Sequence, residues 1–202
     1  MFKNKTFYGV VGTAIILLTL GIYASGKSRL TNKSTSPTPS PTIVAKNVPE
    51  GWNTYSSNSL GFAIGRPADM EAVEHSDKTV TFVLLGLNQS KEADLTNATS
   101  INFANYSYQG NFKDTIQNGW TQKKESEDYT SVGEIKEVSY AERNGFLYSV
   151  NSSGNFDLIF LPIDENNYLQ ITVLVADPGN LGFEEIAQKI LETLTMSQFT
   201  TP

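Results

Sequence analysis

The sequence predicts an α+β domain in which an antiparallel sheet packs against helices. Two observations predict it. Near the end of the 202-residue chain, three runs alternate apolar and polar residues with a period of two, as strands with one buried face do. Residues 181–194 then carry apolar side chains at helical spacing. Because that helix has one apolar face to cover, we expect it to pack on one face of the sheet.

The strands are predicted from alternation and from the turns before them. The alternating runs begin at Phe146, Phe156 and Leu169. Asn144-Gly145, a strong signal for a two-residue hairpin turn, precedes the first run. With residues 132–140 in front, these runs predict a four-strand antiparallel meander. Further strands are expected at residues 62–66, 79–85 and 100–106.

Two helices are expected. Residues 112–120 form a short one after Gly110-Asn111. The clearer helix is 181–194, and Asn180 is predicted to cap its N-terminus. Glu184 and Glu185 then lie near the positive end of the helix dipole.

An apolar segment near the start predicts a membrane anchor. Residues 7–24 carry no charge and, as a helix, span roughly 27 Å, close to the ~30 Å hydrocarbon core of a bilayer. An uncleaved transmembrane signal-anchor after a short tail, residues 1–6, is the favoured interpretation. A cleaved signal peptide is the second, but the segment exceeds the usual ~7–15 apolar residues. A buried globular helix is disfavoured, because the segment has no polar face.

A stalk is expected at residues 25–48, followed by the globular domain at residues 49–202. Pro37, Pro39 and Pro41 favour an extended, semi-rigid spacer. Bases lie on both sides of the apolar segment, so the positive-inside rule does not decide the orientation. We expect an extracytoplasmic domain, because the tail before the helix is very short.

The charge distribution divides the chain. The first 46 residues contain six bases and no acidic residue, whereas the remainder contains nine bases and all 21 acidic residues. A basic start and an acidic body fit a chain tethered at an anionic membrane. The acidic body argues against nucleic acid as a partner. The chain has no cysteine, which excludes disulfides, thiolate metal sites and a cysteine nucleophile.

Two stretches carry a family resemblance. They are Trp52-Asn-Thr-Tyr55 with Gly61-Phe62-Ala-Ile64-Gly-Arg66-Pro67, and Glu185-Ile186 with Ile190-Leu191-Glu192-Thr193. They resemble the first hairpin and the terminal helix of the PsbP-like family, over residues 49–199. Met70 departs from the pattern, since family members often carry Trp there. The resemblance implies an α/β/α sandwich and a non-enzymatic binding or assembly role, without naming a partner or a metal-binding residue.

Candidate chemical groups are few. His75 is the only histidine and lies near Glu71, Glu74 and Asp77, which could supply metal ligands, although a solvated loop is favoured over a three-ligand site. No G-x-S-x-G motif supports a serine triad. The acidic cluster Glu125, Glu127 and Asp128 is interpreted as a solvated loop. We therefore predict no catalytic, cofactor-binding or metal-ligating residue.

Aromatic residues are the remaining candidates for a ligand cleft. Most are expected to pack in the core, and Tyr106 and Tyr108 are expected to form an exposed pair on one strand face. The candidates are Trp52, Tyr55, Tyr106, Tyr108, Trp120 and Tyr129.

The expected function is a membrane-anchored, extracytoplasmic, non-catalytic binding or assembly module, with the lipid bilayer and an unidentified protein as partners. The alternative is a carboxylate-dependent hydrolase of envelope glycans, which would need two acidic side chains facing each other across a pocket. A ligand sensor is disfavoured, because about six residues precede the membrane segment.

Overall fold

The computed structural model describes residues 43–76, 78–87, 89 and 96–197. They belong to one compact unit that begins at Thr42. The predicted membrane helix at residues 7–24 lies outside the described residues, as does most of the predicted stalk. Within the described ranges, no helix has the length and apolarity needed to cross a bilayer.

The described residues form two antiparallel sheets and two helices, which confirms the α+β prediction. In chain order, the elements are β1 (Asn53–Ser57), β2 (Phe62–Arg66), β3 (Glu71–Ser76), β4 (Thr79–Leu85), β5 (Ala98–Ser107), α1 (Phe112–Glu125), β6 (Ser131–Val132), β7 (Lys136–Tyr140), β8 (Arg143–Asn151), β9 (Asn155–Pro162), β10 (Asn167–Ala176), α2 (Phe183–Glu192) and β11 (Thr195–Met196). The large sheet has the order β3-β4-β5-β10-β9-β8-β6, with β7 also paired to β8. The small sheet has the order β1-β2-β11.

The two helices lie on opposite faces of the large sheet. On β9, Ile159 and Leu161 join the same apolar cluster as the buried residues of α2. The alternate β9 residues Leu158 and Phe160 join a second cluster with Ile116 of α1. Since neighbouring residues of a strand point to opposite faces, α1 and α2 cover different faces, which we name the α1 face and the α2 face. The layers are helix, sheet and helix.

The main core lies on the α2 face, between the large sheet and the small sheet with α2. Phe62 of the small sheet stacks on Phe103 with ring centroids 4.4 Å apart. Phe82 meets Phe103 edge to face at 5.7 Å. Phe62, Phe82 and Phe103 are fully buried, so the small sheet closes the core over β4 and β5.

The start of α2 differs from the prediction. The helix begins at Phe183, its N-cap is Gly182 in a left-handed conformation, and no side chain of the cap residue bonds to the helix. The carboxylate of Asp177 instead accepts hydrogen bonds from the backbone N–H groups of Leu181, Gly182 and Phe183 at 2.6, 2.9 and 3.0 Å. The prediction that Asn180 caps this helix was therefore wrong, because Asn180 lies within a loop that turns back onto Asp177.

The hairpin before β8 also differs from the prediction. Tyr140 pairs with Arg143, so the two-residue turn is Ala141-Glu142, with φ angles of 51° and 62°. Asn144 and Gly145 lie inside β8. A Cβ at position 145 would collide with the carbonyl oxygen of Phe160 on β9. Gly145 thus serves a close approach between strands and not a turn.

The meander is confirmed, with changed boundaries. Residues 132–140 divide into β6 and β7, which both pair with β8. The first helix extends to Glu125, beyond the predicted end at Trp120. Asn111 caps this helix, since its side chain accepts a hydrogen bond from the Asp114 N–H at 3.2 Å.

Candidate functional site

Among the described residues, helix α1 covers only one side of the α1 face. Helix α1 packs over β6, β8 and β9 through the second cluster. The strands β4, β5 and β10, beside that covered part, present no charged residue on this face. By register, the residues of these three strands on the α1 face are Thr79, Thr81, Val83, Leu85, Ala98, Ser100, Asn102, Ala104, Tyr106, Tyr168, Gln170, Thr172, Leu174 and Ala176.

A row of polar side chains crosses four neighbouring strands on this face. We call His75, Thr81, Asn102, Thr172 and Gln170 the polar strip. Thr81 pairs with Asn102, and Asn102 pairs with Thr172. All five residues are half-buried.

Hydrogen bonds hold the polar strip in place. The Asn102 Nδ2 group donates to Thr81 Oγ1 at 2.8 Å, and His75 Nε2 lies 2.9 Å from the same oxygen. The Gln170 Nε2 group donates to Thr172 Oγ1 at 3.2 Å. Asn102 Oδ1 and Gln170 Oε1 accept no side-chain hydrogen bond from the described part of the chain. The strip therefore keeps two oriented acceptors for another molecule.

Two tyrosines mark one end of the polar strip. Tyr106 pairs with Tyr168 across β5 and β10, directly beside the pair of Ala104 and Gln170. The two rings stack with centroids 5.6 Å apart and an interplanar angle of 23°. Tyr106 is 45% exposed. Burial and the neighbouring Tyr106 raise the pKa of Tyr168.

Tyr108 does not form the exposed pair with Tyr106 that the sequence predicts. It follows the last residue of β5 and is half-buried, with its ring 5.6 Å from that of Phe112 and its hydroxyl donating to the Asp164 carbonyl at 3.1 Å. The prediction assumed that the strand continues to residue 108. Because β5 ends at Ser107, the side chain of Tyr108 lies against the start of α1.

A small pocket adjoins the polar strip at the sheet edge. Its volume is about 270 Å³, and we call it the edge pocket. The Tyr55 hydroxyl donates to Glu74 Oε1 at 2.7 Å. Burial, followed by this hydrogen bond, raises the pKa of Tyr55 to about 12. The lining residues are Tyr55, Ser57, Ser59, Leu60, Glu74, His75 and Val80. His75 belongs to both the pocket and the strip.

The edge pocket brings a carboxylate, a histidine and two serines together without joining them in a catalytic chain. Ser57 Oγ lies 3.1 Å from Ser59 Oγ and accepts the Leu60 N–H. His75 Nε2 pairs with Thr81 and Glu74 with Tyr55. Among the described residues, no group of three potential metal ligands occurs. The arrangement offers hydrogen-bonding groups to a ligand.

A second, wider groove of about 590 Å³ lies between α2 and the turn after β7. It also presents one carboxylate, that of Glu192. Its lining residues are Asn47, Val138, Ser139, Tyr140, Ala141, Gln188, Leu191 and Glu192.

The acidic cluster lies apart from both cavities. Glu125, Glu127 and Asp128 are exposed at the end of α1 and in the turn that follows. Asp128 exchanges hydrogen bonds with Ser126, whose Oγ donates to Asp128 Oδ2 at 3.1 Å. These carboxylates face solvent.

The remaining aromatic candidates do not gather in one cleft. Trp120 Nε1 donates to the Gly133 carbonyl at 2.7 Å, and Lys124 Nζ lies 4.2 Å from the Trp120 ring centre. Lys123 Nζ lies 5.6 Å from the Tyr129 ring centre. Trp52 packs against the main core. Only Tyr55 and Tyr106 of this set border the edge pocket or the strip.

Sequence reasoning missed Thr81, Asn102, Gln170 and Thr172. A signal existed, because the polar residues at the outward positions of three predicted strands are Thr, Ser, Asn and Gln and include no charged residue, although the domain is acidic. Their meeting in one row required the register, which places β10 beside β5.

Comparisons with known proteins concern the fold. No protein-family model matches the sequence, and no curated protein matches it. The solution structure of cyanobacterial PsbP from Synechocystis is similar, with 9% sequence identity and a TM-score of 0.48. The match covers 75% of this chain and 95% of that chain. A PsbP is among the structures that this chain resembles.

Two further structures are similar. One is LpqN of Mycobacterium tuberculosis, a protein involved in cell envelope biogenesis, with 12% sequence identity and a TM-score of 0.39. That match covers 81% of this chain and 88% of that chain. The other is a protein from Bacteroides thetaiotaomicron, with 14% sequence identity and a TM-score of 0.44; the match covers 74% of this chain. This chain spans half the length of the Bacteroides protein.

Proposed function

We propose that this chain is a membrane-anchored, extracytoplasmic, non-catalytic binding or assembly module that contacts its partner through the polar strip. The observation that carries the proposal is the open half of the α1 face, where β4, β5 and β10 present uncharged polar side chains beside an exposed tyrosine. Oriented hydrogen-bonding groups next to an aromatic ring are common features of recognition surfaces.

The position at which the chain enters the folded unit supports this proposal. Ala45 is buried, and the Lys46 N–H donates to the carbonyl of Thr193, just after α2, at 3.3 Å. Lys46 Nζ also pairs with Glu142 at 2.8 Å. The chain therefore enters beside the C-terminal end of α2, whereas the polar strip lies on the α1 face.

Photo-crosslinking tests the binding surface. The full chain carries a benzophenone amino acid at Thr172 on the strip or, as the matched control, at Gln117 on the exposed side of α1. We expect a discrete adduct in native membranes from position 172 and none from position 117. Adducts of equal yield from both positions, or none from position 172, contradict the proposal.

The non-catalytic part has its own test. Purified full chain is assayed against envelope glycans, in parallel with the Glu74→Gln and His75→Ala variants. We expect no turnover from any of the three proteins. Turnover by the wild type that either substitution abolishes would overturn this part of the proposal.

Neither the edge pocket nor the groove beside α2 has the geometry that the hydrolase alternative requires. A glycosidase holds two carboxyl groups at a fixed separation across its cleft, roughly 5 to 10 Å. The edge pocket and the groove beside α2 each present one carboxylate, Glu74 and Glu192 respectively. We therefore retain the binding module as the conclusion.

A further inference from the structure

We infer that the ligand of the polar strip is a neutral glycan that lies across the strands. The inference rests on the proposed function and specifies its ligand class. Charge, hydrogen-bonding chemistry and the position of Tyr106 support it independently.

The charge distribution disfavours an ionic ligand. Residues 47–202 carry nine bases and 21 acidic residues, so the folded unit repels polyanions. A cationic partner would be expected to meet several carboxylates, whereas β4, β5 and β10 present none on the α1 face and the register of β3 places one there, Glu71 opposite Val83. A neutral ligand matches the polar strip, which contains no carboxylate, lysine or arginine, because such a ligand requires no desolvation of charges.

The hydrogen-bonding groups match hydroxyl groups. Asn102 and Gln170 each offer amide donors and a carbonyl acceptor, and Thr172 offers a hydroxyl. Their Nδ2 and Nε2 groups are fixed on Thr81 and Thr172, which leaves the carbonyl oxygens as oriented acceptors. A sugar hydroxyl donates and accepts, so a glycan satisfies such a mixed surface.

Tyr106 supplies an apolar platform. The residue is 45% exposed, and its ring stacks on that of Tyr168. Ala104, the next residue of β5 on this face, has a small side chain and is buried beside the ring. An aromatic face beside polar groups suits the C–H face of a sugar ring, since an aromatic side chain combines an apolar face with a polar tip.

The spacing favours a chain over a single sugar. Neighbouring strands lie about 4.8 Å apart, so the strip from His75 on β3 to Thr172 on β10 extends over roughly 14 Å. A ligand that contacts all four strands must be an oligomer.

Calorimetric titration of the full chain in lipid nanodiscs tests the inference. The probes are the neutral hexasaccharides of chitin, cellulose, amylose and mannan, with hexagalacturonate as the charged counterpart and empty nanodiscs as the blank. We expect at least one neutral probe to bind and hexagalacturonate to bind at least tenfold more weakly. The Tyr106→Ala and Asn102→Asp variants should each weaken neutral binding at least tenfold.

Two variants serve as controls. Tyr106→Phe keeps the ring and should bind within about threefold of the wild type, and Leu181→Ala changes a residue that is 51% exposed outside the strip and should bind equally. Thermal unfolding of each variant establishes that it folds. No neutral binding at millimolar concentration, or binding that Tyr106→Ala and Asn102→Asp leave unchanged, overturns the glycan inference.

The crosslinking result separates this inference from the proposed function. A polypeptide adduct at position 172 without glycan binding refutes the glycan and retains the binding module. The absence of any adduct at position 172 contradicts both.

Discussion

Thr193 shows how one buried hydroxyl joins the small sheet to α2. It is 1% exposed, and its Oγ1 accepts the Gly65 N–H at 2.7 Å and donates to the Ile190 carbonyl at 2.7 Å. Substitution by valine keeps the volume but leaves the buried N–H without an acceptor. We expect Thr193→Val to lower the free energy of unfolding by about 1–3 kcal/mol in urea denaturation.

Thr193→Ser is the matched control, because it retains the hydroxyl. It should lose less stability than the valine variant. Equal stability of Thr193→Val and wild type would show that this hydrogen bond contributes nothing net.

Asp177 gives the fold a dependence on pH. The N–H of Leu181, followed by those of Phe183 and Gly182, lowers the pKa of its carboxyl below the ordinary value of 3.8. A lowered pKa contributes stability that is complete above the unfolded pKa and is lost as the pH falls through the folded pKa. We expect the thermal midpoint of Asp177→Asn to be lower than that of the wild type at pH 7. This difference in thermal midpoint should become smaller below pH 3.8.

Glu184→Gln is the control for this experiment, because Glu184 lies in the same first turn and makes none of these three bonds. A Glu184→Gln variant as unstable as Asp177→Asn would assign the effect to the helix dipole and not to the Asp177 cap.

The cap was not predictable from local sequence alone. Asn180 stands at the position that a cap commonly takes before residue 181, and it lost that role because Asn180 and Gly182 both adopt positive φ. That conformation brings a carboxylate from five residues upstream onto the helix N-terminus. The backbone path of this loop, which the residue types do not specify, therefore determines which residue caps the helix.

At the scale of elements, Gly145 determines how closely β8 approaches β9. A methyl group at this position would meet the Phe160 carbonyl oxygen, so the strands would have to separate. We expect Gly145→Ala to lower the free energy of unfolding by at least about 3 kcal/mol. Urea denaturation measures this loss.

Gly119→Ala is the matched control, because the same substitution should stabilise the domain at position 119. Position 119 lies in α1 with nothing within 4 Å of an added Cβ. The change should stabilise the domain by about 0.5–1 kcal/mol. A Gly145→Ala variant as stable as wild type would refute the close-approach explanation.

Periodicity predicted the elements better than turn motifs predicted their ends. The alternation from Phe146 onward correctly placed β8 on the sheet, since that pattern reflects burial on one face. The Asn144-Gly145 motif predicted the turn at the wrong position, because Gly145 allows the close approach of β8 to β9 and the turn is Ala141-Glu142. Glycine is required both in tight turns and where two strands approach closely, and the motif does not distinguish these two requirements.

At the scale of the whole molecule, the layers followed from the sequence and the polar strip did not. The apolar positions of α2 and of the late strands were sufficient for an α+β domain. The strip required β10 to lie beside β5, a pairing between strands separated by α1 and the meander. Long-range pairing of this kind cannot be inferred from local alternation.

The membrane anchor is a prediction for the full chain. Residues 7–24 should retain it in the membrane fraction after an alkaline carbonate wash, because an uncharged segment of this length spans the hydrocarbon core. A chain that lacks residues 1–24 should appear in the wash. Recovery of the intact full chain in the wash would contradict the anchor.

The central claim is that the open half of the α1 face is occupied by a partner in the native membrane. Hydroxyl-radical footprinting tests it by comparing the chain in native membranes with the purified chain in detergent. Tyr106 should be oxidised several-fold less in native membranes, whereas Leu181, also about half exposed, should be oxidised equally in both. Equal oxidation of Tyr106 in the two samples would contradict the account.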